Sequence, residues 1–170
     1  MNTLEKATFA AGCFWGVEHI FAKNFDIKTR VGFIGGKVEN PSYKKVCTGE
    51  TNHAEACQIL YDPSKISYAT LVEFFYKTHD ASTLNRQGND NGTQYRSAIF
   101  YHSEEQKRIA EEVTKKVQEK INKEKDIYSG DKIVTTIEEA GEFYDAEEMH
   151  QKYLDKVPNG YQCATHYIRW

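Results

Sequence analysis

Apolar residues recur along this chain at two spacings, and the switch between them outlines a fold before any chemistry is considered. "KATFAAG" near the N-terminus reads as a strand. Directly after Cys13, the apolar positions Phe14, Val17 and Phe21 fall three and four residues apart and predict a helix. "KTRVGF" reads as a second strand, and the break at Gly35-Gly36 beyond it calls for a turn. "CQILYD" alternates and predicts a third strand, stopped by Pro63. "YATLVEFFYK" then sets Tyr68, Leu71, Val72 and Phe75 on one helical face. A polar loop leads into "QYRSAIFY", again a strand. "SEEQ" at 103–106 has the form of a capping box and opens the longest helix, whose apolar stripe is Ile109, Val113, Val117 and Ile121. "DKIVTTI" predicts one more strand and "AEEMHQKYL" a short helix, followed by an irregular tail.

Strand, helix, two strands, helix, strand is the order of a split βαβ unit. The expected fold is therefore α+β, an α/β sandwich with a ferredoxin-like core and an irregular C-terminal tail. Neither an internal repeat nor a Pro-rich linker divides the 170 residues, so one domain over 1–170 is expected; "NKEKD" at 122–126 reads as a frayed helix end and solvated loop. With 39% hydrophobic and 28% charged residues, the composition points neither to disorder nor to a membrane span. A net charge of −3 provides no basic face for nucleic acid. The apolar run around Cys13 is bracketed by Glu5 and Glu18 and lacks a basic lead-in, which argues against a signal peptide and for a cytoplasmic or nuclear protein. There the four cysteines, Cys13, Cys47, Cys57 and Cys163, begin as thiols, and without a Cys-x-x-Cys pair no structural zinc site is expected. "NGT" at 91–93 is then a turn rather than a glycosylation acceptor.

"FAAGCFWGVEH" at 9–19 raises the first chemical question, because it sets a cysteine between a strand and a helix, beside two bulky aromatics. Unsatisfied N–H groups and the helix dipole favour a thiolate at such a position. Gly12 permits the tight turn, and Phe14 and Trp15 would wall the sulfur with apolar surface suited to a soft group such as a methyl. The same pattern equally fits a buried cysteine acting as a small hydrophobe. Two further stretches are dense in functional side chains: "NPSYKKVCTGETNHAEA" at 40–56 and "RQGNDNGTQYRSA" at 86–98. Loops of this composition are either plain surface or carriers of function, and local pattern leaves both open.

Taken together, the three stretches resemble the peptide methionine sulfoxide reductase A family, which repairs the S epimer of methionine sulfoxide. The resemblance runs through "GCFWG", "PSYKKVCTGETNHAEA", "YDPSKISY", "RQGNDNGTQYRSAIF", "FYDAEEMHQKYL" and "NGYQC", nearly the whole chain. It implies an α/β sandwich of the ferredoxin-like kind, with Cys13 as nucleophile and Phe14 and Trp15 around the substrate methyl. Glu55 would be the acid on the sulfoxide oxygen, Tyr43 and Tyr95 would help bind that oxygen, and Asp90 would position the substrate and its hydrogen-bonded water. A sulfoxide sulfur is a poor electrophile until its oxygen is protonated, so such an acid must stay neutral near pH 7, which desolvation achieves. Cys163, following "NGY", matches a resolving thiol that condenses with the Cys13 sulfenic acid. The implied enzyme needs neither cofactor nor metal. It takes electrons from thioredoxin or a similar dithiol, acts on oxidised proteins and free methionine sulfoxide without nucleic acid or membrane partners, and works as a monomer.

The chain departs from the longest family pattern in having one tail cysteine where some members have two. Asn52 and Phe33 stand where many relatives have glycine and tyrosine. Cys47 and Cys57 read as packing residues. Glu147 and His150 have the i, i+3 spacing of a metal-binding helix, but without a second such motif a solvated helix face is expected. His53 reads as structural, His79-Asp80 as a helix C-terminal cap with favourable dipole placement, and His19 and His166 belong to no pattern. A thiol peroxidase would use the same nucleophile but has no need of a methyl pocket, and a redox sensor would signal through a Cys13–Cys163 disulfide without turnover.

Overall fold

A computed structural model describes residues 3–170. In chain order the elements are β1 (Glu5–Ala11), α1 (Phe14–Asn24), β2 (Lys28–Ile34), α2 (Tyr43–Val46), β3 (Ala54–Tyr61) and α3 (Tyr68–Lys77). A short hairpin follows, β4 (Arg86–Gln87) with β5 (Asp90–Asn91), then β6 (Ser97–Tyr101) and α4 (Glu104–Lys123). β7 (Thr136–Glu139), β8 (Tyr144–Asp145) and α5 (Tyr153–Lys156) complete the set. Six strands form one sheet in the order β7-β6-β1-β3-β2-β8, antiparallel except for the parallel β6–β7 edge. β1, α1, β2 and then β3, α3, β6 each cross over one intervening strand, which is the split βαβ arrangement expected from the element order.

The larger apolar cluster lies between one sheet face and helices α1, α3 and α4, with Phe9, Phe21, Phe75 and Ile99 fully buried. A smaller, alanine-rich cluster of Ala10, Ile34, Ala54, Ala56, Ala98 and Phe100 covers the other face, with Ala140 and Phe143 packed against it. Strand alternation puts Glu55 on the same face as Cys57, Ile59 and Tyr61, all within or beside the larger core. Among the described residues no helix is long and apolar enough to cross a membrane.

The helix start at 103 is capped as expected on one side only. Ser103 Oγ accepts the Gln106 N–H at 3.2 Å, but Gln106 Oε1 reaches back to the amide of His102 at 2.9 Å instead of that of Ser103. Only the last part of "DKIVTTI" enters the sheet, because the preceding residues cross from α4 and are held by side chains such as Gln118. "AEEMHQKYL" is not one helix. Lys152 adopts φ 55°, which separates a 3₁₀ turn at Glu148–His150 from α5.

Candidate active site

Cys13 occupies the residue before α1, reached through Gly12 in the left-handed region at φ 94°. It is 4% exposed. The amides of Trp15 and Gly16 interact with its sulfur and favour the thiolate, as a helix start should. Burial and the nearby Glu55 oppose them and win, so the Cys13 thiol is held well above its ordinary range. The expected resting thiolate is corrected to a neutral thiol: the helix end contributes the favourable bonds, but desolvation dominates.

Glu55, on β3, is fully buried. Its Oε1 accepts the N–H of Phe14 at 3.2 Å, while Oε2 is buried without a hydrogen-bond partner. Burial, with a smaller push from Asp90, raises this carboxyl to about 8, despite the opposing Phe14 bond. It is therefore protonated at neutral pH, and Oε2 is a donor with nothing to donate to. The hydroxyls of Tyr43 and Tyr95 are raised first by burial and next by Glu55, which marks them as neighbours of the same carboxyl. Strand β3, helix α1 and the two loops that carried the sequence motifs thus converge on Cys13 and Glu55.

One wall of the site is aromatic. Phe14 packs on Phe33 (5.6 Å between centroids) and Tyr43 (6.0 Å), which gives the phenylalanine at 33 a packing role. Half-buried Trp15 stacks on Tyr153 at 3.9 Å and donates its indole N–H to His150 Nδ1 at 3.1 Å. His150 also lies 4.2 Å from the Tyr43 ring and is buried, not the solvated helix face expected. Its pKa is lowered by burial, consistent with a neutral ring whose Nδ1 accepts. Glu147 accepts the Tyr43 amide at 3.0 Å, so both residues of the i, i+3 pair are engaged with the aromatic wall, and among the described residues no group of three or more His, Cys, Asp or Glu is placed to hold a metal ion. The only sequence hint was that "AEEMH" belongs to a motif of the resemblance.

Asp90, on β5, accepts the Tyr161 hydroxyl at 3.0 Å on Oδ1, and its Oδ2 is buried without a partner. Cys163 is buried against the same hairpin, its thiol donating to the Gln87 carbonyl at 3.6 Å. Asp90 raises the thiols of both Cys13 and Cys163, so both cysteines lie near this carboxylate, and all four cysteines are unpaired. Cys57 is a core residue as expected, but Cys47 is not: it is exposed and interacts with the Tyr43 hydroxyl, because α2 carries it to the site's edge rather than inward. His53 is structural, bridging the Gly36 amide and Val38 carbonyl, and Asn52 takes the left-handed φ of 59° that suits glycine. His79 does cap α3 by bonding the Phe75 carbonyl, yet burial lowers it to about 3, so it acts as a neutral donor and not through charge.

An α+β sheet protein with a buried thiol at a helix mouth, a protonated carboxyl beside it and a second thiol close by belongs to the class of thiol oxidoreductases. A family model described as peptide methionine sulfoxide reductase matches residues 5–169. Peptide methionine sulfoxide reductase MsrA of Methanothermobacter thermautotrophicus is 52% identical over 162 residues, covering 93% of this chain and 90% of that one. Mxr1 from Saccharomyces cerevisiae in its reduced form is similar in structure with a TM-score of 0.91 at 41% identity, over 99% of this chain and 93% of that chain. The same yeast protein in complex with Trx2 matches with a TM-score of 0.67 at 29% identity, over 99% and 91%. The chain belongs to the peptide methionine sulfoxide reductase family and is an enzyme that reduces methionine sulfoxide.

Proposed function

We propose that this enzyme reduces the S epimer of methionine sulfoxide, free and in proteins, through a Cys13 sulfenic acid and a Cys13–Cys163 disulfide. The observation that carries the reading is Glu55: a buried carboxyl, neutral at pH 7, with one oxygen anchored by the Phe14 amide and the other unpartnered. A sulfoxide oxygen is the acceptor such a group lacks. As Glu55 gives its proton to that oxygen, the Cys13 sulfur attacks the substrate sulfur and its own thiol proton replaces the one Glu55 gave up. The oxygen passes to Cys13, the sulfoxide S–O bond breaks and methionine leaves, so the substrate is reduced by two electrons and Cys13 oxidised by two. Tyr43 and Tyr95 donate hydrogen bonds to the oxygen, Phe14 and Trp15 hold the methyl group, and Asp90 orients the remainder of the substrate. The Cys163 sulfur then bonds to Cys13, and the hydroxyl leaves with the Cys163 proton as water.

The disulfide is returned to two thiols by a dithiol donor. Thioredoxin is the proposed donor, supported by the complex formed between the related yeast Mxr1 and Trx2. Residues 1–170 act as one domain, a reading supported by a family match that spans 5–169. We assign the enzyme to the cytoplasm, where the cysteines not engaged in turnover remain thiols. With the methyl against aromatic rings and the oxygen at Glu55, only one configuration at sulfur presents its face to Cys13. The opposite epimer would put its oxygen against aromatic carbon, at a cost of roughly 2 kcal/mol or more. Single-turnover reduction of each epimer tests this: the S epimer is consumed and the R epimer is essentially inert, and comparable rates on both would overturn the site assignment.

A further inference from the structure

Gly12 and Gly16 flank the nucleophile's turn; Gln87 stands over the first and the ring of His166 from the C-terminal tail over the second. A Cβ at Gly16 would lie 2.3 Å from His166 Nδ1, and one at Gly12 would lie 3.5 Å from its Nε2 and 2.8 Å from Gln87 Cβ. The turn that carries Cys13 is therefore enclosed between Gln87 and His166, with no room for a side chain on either glycine. His166 Nε2 lies 2.8 Å from the Ala11 carbonyl, which only accepts, so this nitrogen carries the proton; Nδ1 is buried and bare. The same histidine is bound to the other cysteine's segment, since its amide donates to the Cys163 carbonyl at 3.1 Å and closes a turn over 163–166. Gln87 holds the opposite side of that turn. Its carbonyl accepts the Cys163 thiol, and its Oε1 accepts the Thr165 hydroxyl at 3.2 Å.

We propose that His166 is a positioning residue for disulfide formation, a clasp that holds the Cys163 turn against the Cys13 turn. It touches no sulfoxide. Its contribution is to keep two sulfurs at high effective concentration after Cys13 has become a sulfenic acid, when the S–S bond forms and the oxygen leaves as water. The proposal rests on Cys13 and Cys163 being the nucleophilic and resolving thiols. It explains why the tail has a histidine three residues after the cysteine, and why position 16, three residues after Cys13, has glycine.

The test is a rapid-quench single turnover of the full, reduced chain with methionine sulfoxide, following methionine release, dimedone-trapped sulfenic acid and the Cys13–Cys163 disulfide. In His166→Ala, methionine release keeps its wild-type rate while disulfide formation slows roughly 10- to 100-fold and sulfenic acid accumulates. His166→Gln, whose amide nitrogen can take the Nε2 position, restores most of the disulfide rate. Gly16→Ala, which pushes the ring away from the other side, slows the same step. Disulfide formation at the wild-type rate in His166→Ala overturns the proposal. So does a loss of methionine release in both His166 variants, because the residue would then serve the nucleophile's own turn. A disulfide to Cys13 that persists in Cys163→Ser would instead overturn the two-cysteine reading beneath it.

Discussion

At the level of single residues the proposed reaction turns on the proton on Glu55. The group is fully buried, its one bonded oxygen is held by a backbone amide, and burial keeps it protonated to about pH 8. Acid catalysis by such a group is worth roughly 10² to 10⁴ in rate, so Glu55→Gln should slow single-turnover methionine release by that factor while leaving the fold intact. An amide keeps the shape and a hydrogen-bond donor but cannot transfer a proton usefully. The wild-type kcat/KM should fall as pH rises through about 8, where the free enzyme loses the acid, and that limb should be missing from the residual activity of Glu55→Gln. A profile that rises through this range would mean that ionisation of Cys13, not protonation of Glu55, governs the rate.

At the scale of elements, the aromatic wall is assembled from pieces distant in sequence. Trp15 rides on α1, and its partners arrive on the segment from the 3₁₀ turn to α5. That segment is pinned by two side chains: buried Glu18 accepts the Lys152 amide at 2.7 Å, and half-buried Gln151 bonds both the amide and the carbonyl of Val31 at 2.9 and 2.8 Å. His150 is thereby delivered to the indole N–H of Trp15. His150→Phe would keep the stacked ring but leave that N–H without its acceptor. A lost hydrogen bond of this kind costs about 1 kcal/mol, so kcat/KM should drop roughly five-fold, with a shift in the emission of Trp15 read in a Trp170→Phe background. Unchanged emission would mean that the stack alone holds the indole.

For the molecule as a whole, the same carboxyl links activity to stability. The unfolded chain releases the Glu55 proton near 4.5 and the folded chain near 8. Between those values the folded state binds a proton that the unfolded state does not, so the contribution of this group to stability declines as pH rises. Glu55→Gln removes the penalty. The variant should therefore be more stable than wild type at pH 7, by about 3 kcal/mol, with the difference closing below pH 4. Urea unfolding of both proteins at pH 4 and pH 7 measures it, and equal stabilities at pH 7 would show that Glu55 is not held neutral by the fold. An enzyme less stable and slower once its acid is lost would operate best on the acidic side of pH 8.

Periodicity in the sequence determined most of the elements, because alternation and three-to-four spacing are local consequences of which face must be buried. It located β1, α1, β3, α3 and α4, and it put Cys13 at the mouth of a helix; the other candidate site residues came from the resemblance carried by the ordered motifs. Where a side chain's neighbours come from far along the chain, the sequence was silent or misleading. The charge state of Cys13 depends on burial and Glu55, 42 positions away, rather than on the helix start beside it. The burial of His150 depends on Glu18 and Gln151 pulling its segment onto α1 and β2. Cys47 looked like a packing residue until one turn of helix carried it outward. Gly12 read as a turn former and Gly16 carried no reading, and only the packed structure shows why neither takes a side chain: Gln87 stands over the first and the ring of His166 over the second. Local backbone preferences are written residue by residue, whereas desolvation and hydrogen-bond partnership are properties of the folded surroundings, and in this enzyme the chemistry depends on the latter.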